Sequence, residues 1–164
     1  MVTVFFPARW NTRAAFFHLT TALSVYEGVL LIEPQPTPRP KVKRAGGVYY
    51  PSNYLAYKKS LVEMLVRAHS KQIFGEKISA VHSVELTFFF RYPKSTAKKR
   101  MIDQQPCFSK ADVDNLAKAV LDAMEQAGII KNDREIVHLD VAKYWTTGDS
   151  RIAYYLEANL PDNE

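Results

Sequence analysis

Three aspartates and a lysine are the residues of this sequence best suited to chemistry. Asp112, Asp114 and Lys118 fall close together in the run 109–135, and Asp133 follows near its end. Val113, Leu116, Ala117, Val120, Leu121 and Met124 recur at helical spacing and form one apolar stripe. Asp114, Lys118, Asp122 and Glu125 line the opposite face. Asp112 stands just before the repeat, where an N-cap is expected. Gly128 ends it, as a left-handed residue would. Asp133 lies on the turn into the next strand. If that strand runs beside the one feeding Asp112, the third carboxylate returns toward the helix N-terminus. Such a cluster is costly unless something cationic sits in it. Mg²⁺ prefers hard oxygen ligands and takes one or two carboxylates plus substrate phosphate. The pattern is therefore the basis of a metal-dependent phosphodiester site. Each residue also has an ordinary reading: an N-cap, a surface pair one turn apart, and a turn aspartate. Asp140, in mid-strand, is a rival to Asp133.

The elements that must position these residues are legible in outline. Val29–Ile32 is a short apolar run suited to a buried strand. From Glu33 to Gly47 alternating prolines forbid a helix and give a stiff, extended arm. Arg39, Lys41, Lys43 and Arg44 ride on that arm, either as contacts to DNA phosphates or as solvated charges on a linker. A helix is predicted over about 52–73, with Leu55, Val62, Leu65, Val66 and Ile73 as its buried stripe. Tyr49, Tyr50, Tyr54 and Tyr57 cluster at its start and suit packing onto a sheet better than base stacking. His69 reads as a surface residue of this helix.

Val84, Leu86, Phe88 and Phe90 share one face of a strong strand. A long basic loop follows, carrying Lys98, Lys99, Arg100 and Lys110 up to the aspartates; so long a loop in a compact domain suits function, here DNA contact. Ile136–Trp145 alternates as a strand, Thr147–Ser150 reads as a hairpin turn, and Arg151–Leu160 is the last strand. The order strand, helix, strand, helix, strand, strand predicts one α/β (α+β) domain with a mixed sheet and packed helices, its final two strands paired as a hairpin.

The 164 residues suit a single domain, spanning 28–160, with 1–27 as an N-terminal extension. A formal net charge of +5 favours a polyanionic partner. The lone cysteine, Cys107, excludes a disulfide framework or a cysteine-ligated zinc site within one chain and reads as an incidental loop thiol. It suits a reducing, cytoplasmic setting. No apolar run is long enough to span a bilayer, and Met1–Leu31 lacks the ordered regions of a signal peptide.

The run Asp112-Val113-Asp114-Asn115-Leu116-x-Lys118-Ala119-x-x-Asp122-Ala123, followed by Ile130-Lys131-Asn132-Asp133 and an aliphatic strand ending at Lys143, resembles the RusA family of Holliday junction resolvases. Two positions depart from the family pattern: Asn132 stands where the turn often has an acidic residue, and Ala111 where a basic residue often precedes the first aspartate. The resemblance implies that Asp112, Asp114 and Asp133 bind one or two Mg²⁺ ions, with Mn²⁺ able to substitute, and that Lys118 assists. It implies a homodimer acting on branched, four-way DNA in recombination and repair, in a bacterial or phage-infected cell. A broader metal-dependent nuclease for flaps or duplex, and a non-catalytic DNA-binding module, are the alternatives.

Overall fold

The computed structural model describes residues 23–73 and 81–159. The elements run β1 (Leu23–Leu30), β2 (Lys41–Val42), β3 (Val48–Tyr49), α1 (Ser52–Ile73), β4 (Val81–Arg91), α2 (Val113–Ala127), β5 (His138–Thr146) and β6 (Arg151–Asn159). Four strands form one mixed sheet in the order β1-β6-β4-β5. The pair β4–β5 is parallel, while β6 runs antiparallel to both β1 and β4. This is the expected α+β domain: a mixed sheet with two helices. Of the expected N-terminal extension, residues 1–22 lie outside the described residues. The expected strand Val29–Ile32 is found earlier along the chain: β1 ends at Leu30, and Leu31 is exposed.

The expected hairpin of the last two strands is not formed. Each pairs with β4, from opposite sides, and neither pairs with the other. The reason is α2. A parallel pair needs a long crossover, and α2 supplies it between β4 and β5. That leaves the other edge of β4 for β6, so residues 147–150 step across the end of β4 instead of closing a two-strand turn.

One sheet face is packed against the helices. Leu30, Ile152 and Phe88 stand in one register row, Tyr26, Leu156 and Val84 in another, and all are buried. Onto them α2 lowers Leu116, Val120 and Met124, each fully buried. Truncating any such leucine to alanine costs about 2–5 kcal/mol.

The stripe of α1 is only in part the one expected: Leu65 is buried and Val62 packs partly buried against the core. Its buried residues are Tyr54, Tyr57, Leu61, Leu65 and His69, while Leu55 and Val66 are exposed. The true spacing is helical throughout, but it begins on tyrosines, which an aliphatic count passes over. Both tyrosines keep a polar tip satisfied, so burial suits them. His69 is likewise buried, not on the surface. Its backbone leaves helical geometry there (φ −118°), and Nε2 hydrogen-bonds the Tyr154 hydroxyl. Gly28 makes room for that tyrosine: a Cβ at position 28 would meet the Tyr154 hydroxyl oxygen at 2.6 Å.

The long loop after β4 doubles back along the outer edge of β5. Gln104 N–H donates to the Trp145 carbonyl (2.9 Å), Trp145 N–H to Gln105 (2.8 Å), and Cys107 N–H to Lys143 (3.0 Å). Paired backbone here covers an otherwise open strand edge. Cys107 is therefore no incidental loop thiol; it is buried in the core.

Candidate active site at the head of the second helix

The first turn of α2 carries the acidic motif. Asp112 occupies the N-cap with extended backbone (φ −60°, ψ 142°), but its side chain makes no capping hydrogen bond. Asp114 stands in the first helical turn. Among the described residues neither carboxylate has a hydrogen bond or ion pair. At its other end the helix closes on Gly128, left-handed at φ 79° as its position requires.

Lys118 lies one turn beyond Asp114. Its ammonium donates to Asp122 Oδ1 at 3.1 Å and stands 3.9 Å from Asp133 Oδ2. The hydrogen bond to Asp122, with the nearby charges of Asp122 and Asp133, holds the Lys118 pKa above the ordinary lysine value. Asp122 is in turn 3.8 Å from Lys58 on α1. Asp133 opens a short 3₁₀ turn, Asp133–Glu135, which Asn132 caps by accepting from Arg134 N–H at 3.1 Å. The asparagine that departs from the expected acidic turn thus serves the structure, because it shapes the turn that aims Asp133 at Lys118.

Asp133 does return to α2, as expected, but to its second turn. Among the described residues no three acidic, histidine or cysteine side chains gather closely enough to hold a metal ion. The arrangement is two unengaged carboxylates at the helix head, then a lysine bridging to the third. By donor chemistry Asp112 and Asp114 fit Mg²⁺, which asks for one or two carboxylates and leaves room for phosphate oxygens. The turn bearing Asp133 has an unmet polar demand as well: Glu135 Oε2 is shielded and lacks a hydrogen-bond partner among the described residues. The rival Asp140 is exposed in β5 and lies in the register row of Glu85, on the sheet face opposite the helices.

The proline-rich segment is fastened to the same corner. Thr37 N–H donates to the Asn115 carbonyl at 2.9 Å, and the Thr37 hydroxyl meets Tyr54 Oη at 2.9 Å. Gln35 N–H donates to Tyr57 Oη at 3.1 Å. Burial pushes the Tyr57 pKa up to about 12, so it stays a neutral phenol. Tyr54 and Tyr57 thus have the packing role expected, whereas Tyr49 and Tyr50 are exposed. Beyond Pro38 the arm is exposed, and it ends in a small ribbon rather than one extended rod. β2 and β3 pair across a turn in which Gly46 and Gly47 take positive φ. Arg39, Lys41, Lys43 and Arg44 are all exposed on this projection, with the Lys43 ammonium 5.9 Å from the centre of the Tyr49 ring. Lys98, Lys99 and Arg100 form an exposed 3₁₀ turn in the long loop. Lys110 stands over the rings of Phe90 and Trp145, at 5.3 and 5.7 Å, and 4.0 Å from Glu33.

Two residues of the site lie within the motif yet escape a reading by residue type. Asp122 holds Lys118, and its spacing of four from that lysine is the signal. Lys143 donates from β5 to the carbonyls of Lys110 (3.0 Å) and Ala111 (2.8 Å), fixing the backbone just before Asp112. Its signal is a lysine in the register row of buried Phe88.

A family model described as Endodeoxyribonuclease RusA matches residues 32–153, the span that contains every element of this site. A comparison with curated proteins finds no match. No helix among the described residues is long and apolar enough to cross a membrane. With the acidic motif in place at the head of α2 and the match running over most of its length, the chain belongs to the RusA family of endodeoxyribonucleases, hydrolases that cut DNA at crossover junctions.

Proposed function

We propose that this chain resolves four-way DNA junctions as a homodimer, with Asp112 and Asp114 as Mg²⁺ ligands, Asp133 joining them when the ion binds, and Lys118 as their partner. The observation that carries the reading is the pair of unengaged carboxylates at the helix head, one turn from a lysine already tied to the third aspartate. A bound Mg²⁺ would stabilise charge on the attacked phosphate and lower the pKa of the attacking water. Asp112 and Asp114 hold their oxygens on the first turn, where Lys143 fixes the approaching backbone. Lys118 neutralises charge that develops on the phosphate oxygens or orients the water. The water oxygen bonds to phosphorus, the phosphodiester P–O bond breaks, and the departing oxygen takes up a proton.

The arm residues Arg39, Lys41, Lys43 and Arg44 and the loop residues Lys98, Lys99, Arg100 and Lys110 bind phosphates, which makes affinity steeply salt-dependent. A four-way junction has two-fold symmetry, and a two-fold dimer presents two equivalent sites to opposed strands. Its place of action is the cytoplasm, where the cell's or an infecting phage's DNA recombines and is repaired.

The test is cleavage of a labelled four-way junction beside linear duplex of the same sequence, with wild type and Asp114→Asn, with and without Mg²⁺. Paired nicks on opposed strands, only with metal and only in wild type, support the reading. Cleavage by Asp114→Asn rejects the site, and equal cutting of duplex makes the protein a general nuclease.

A further inference from the structure

We propose that Phe108 stacks on a base at the open centre of a branched DNA and sets the preference for junction over duplex. This rests on the junction-cutting reading above. The Phe108 side chain is 89% exposed, the most exposed of the large apolar residues described. A single exposed apolar residue is ordinary; what sets this one apart is how it is held. Immediately before it, Cys107 is buried, and its N–H is bonded to Lys143. Pro106 bridges to Tyr144. Two and three residues later, the Lys110 and Ala111 carbonyls both accept from the Lys143 ammonium. The backbone is thus fixed on either side of Phe108, by the same lysine residue, and the ring is displayed from a rigid ledge.

That ledge leads straight to the scissile chemistry. Asp112 lies four positions after Phe108, a span of at most about 14 Å. Their α-carbons are therefore no farther apart than about four base steps along one strand. Lys110 and the Lys98–Arg100 turn belong to the same loop, so the segment that displays the ring also carries the charges proposed to bind phosphate. Aromatic stacking on an unpaired base is tolerant of sequence. An apolar wedge in intact duplex must first unstack a step. At a branch point continuous stacking is already interrupted, so the same ring gains more there. The discrimination comes from the state of the DNA, not from its sequence.

The experiment uses the full chain with Asp114→Asn, which is expected to bind without cutting, and a four-way junction bearing 2-aminopurine beside the exchange point. A linear duplex with the same probe is the reference. Phe108 as found is expected to alter the probe's fluorescence on the junction, and Phe108→Trp to retain the effect. Phe108→Ala is expected to abolish it and to weaken junction binding about tenfold, shrinking the preference over duplex. Sedimentation of the free proteins should be the same for all three. An unchanged probe signal and junction affinity in Phe108→Ala would overturn the proposal. So would a shift of Phe108→Ala to a smaller species, which would make the ring a contact between copies. If the protein that retains Phe108 binds junction no better than duplex, the junction reading itself fails, and this proposal fails with it.

Discussion

The ammonium of Lys143 donates to the carbonyl of Ala111 at 2.8 Å, joining β5 to the residue just before the first aspartate. Thirty-two positions separate the two in sequence. The head of α2 is thus referenced to the sheet by a side chain, and not only by its own helix.

Replacing that side chain with one that cannot donate tests the idea. Lys143→Met keeps the stem but frees the Lys110 and Ala111 carbonyls. Single-turnover junction cleavage is expected to slow by about tenfold to a hundredfold, the scale on which a small misplacement of reacting groups acts. Junction affinity is expected to fall much less. Equal losses in both would mean that Lys143 serves binding instead.

Asp122 offers a pH test. It is the main cause of the raised Lys118 pKa. A group whose folded pKa is raised contributes stability that is fully present below its unfolded value, about 10.4. That contribution is lost as pH rises through the folded value. Asp122→Asn removes the main cause, so less stability remains to be lost on the alkaline side. Melting temperatures between pH 9 and 12 should fall less steeply in the variant than in wild type. The effect is small, because Lys118 is half exposed and solvent screens it.

Asp103 makes the opposite case on the acid side. It accepts from Thr147 N–H (2.9 Å) and from the Thr146 and Thr147 hydroxyls, and these bonds, the backbone one foremost, hold its carboxyl below the ordinary value. Its contribution is present above the unfolded pKa, about 3.9, and disappears as pH falls through the lowered folded one. Those bonds join the long loop to the turn after β5. Asp103→Ala is expected to loosen that loop at neutral pH, and hydrogen exchange over 100–107 should quicken. Unchanged exchange there would show that the backbone pairing with β5 is enough.

Gly28 is predicted to resist even the smallest side chain. In Gly28→Ala the new methyl meets the Tyr154 hydroxyl oxygen at 2.6 Å and its ring carbon at 2.9 Å. A loss of about 1–3 kcal/mol is expected, typical of overpacking. Urea unfolding would measure it. Adding Tyr154→Phe should recover part of the loss, since only the nearer of the two contacts is removed.

Much of this fold is legible in the sequence, and the exceptions have physical causes. The spacing of α2, its glycine stop and the inward face of β4 follow from local periodicity, and local periodicity is what a sequence displays. The α1 stripe departs from its aliphatic pattern because Tyr54 and Tyr57 are buried through polar tips that find Thr37 and Gln35, partners distant in the chain. His69 turns inward for a related reason: Tyr154, which draws it there, lies eighty-five positions away. The β5–β6 hairpin does not form because adjacency in sequence is not adjacency in the sheet. At the site, the types and spacing of the aspartates are readable. That Lys118 also meets Asp133, and that Lys143 steadies the approach, depends on the crossover and cannot be read along one strand.

The place of β6 has a consequence for how the protein is made. It is the last of the six described strands to leave the ribosome, yet it lies inside the sheet, between β1 and β4. Until it emerges, β1 has no partner in that sheet, and β4 has only β5. The nascent chain must therefore wait with Phe88, Leu86 and Tyr26 incompletely covered, and shortening it within 151–159 should remove the fold altogether rather than fray one end.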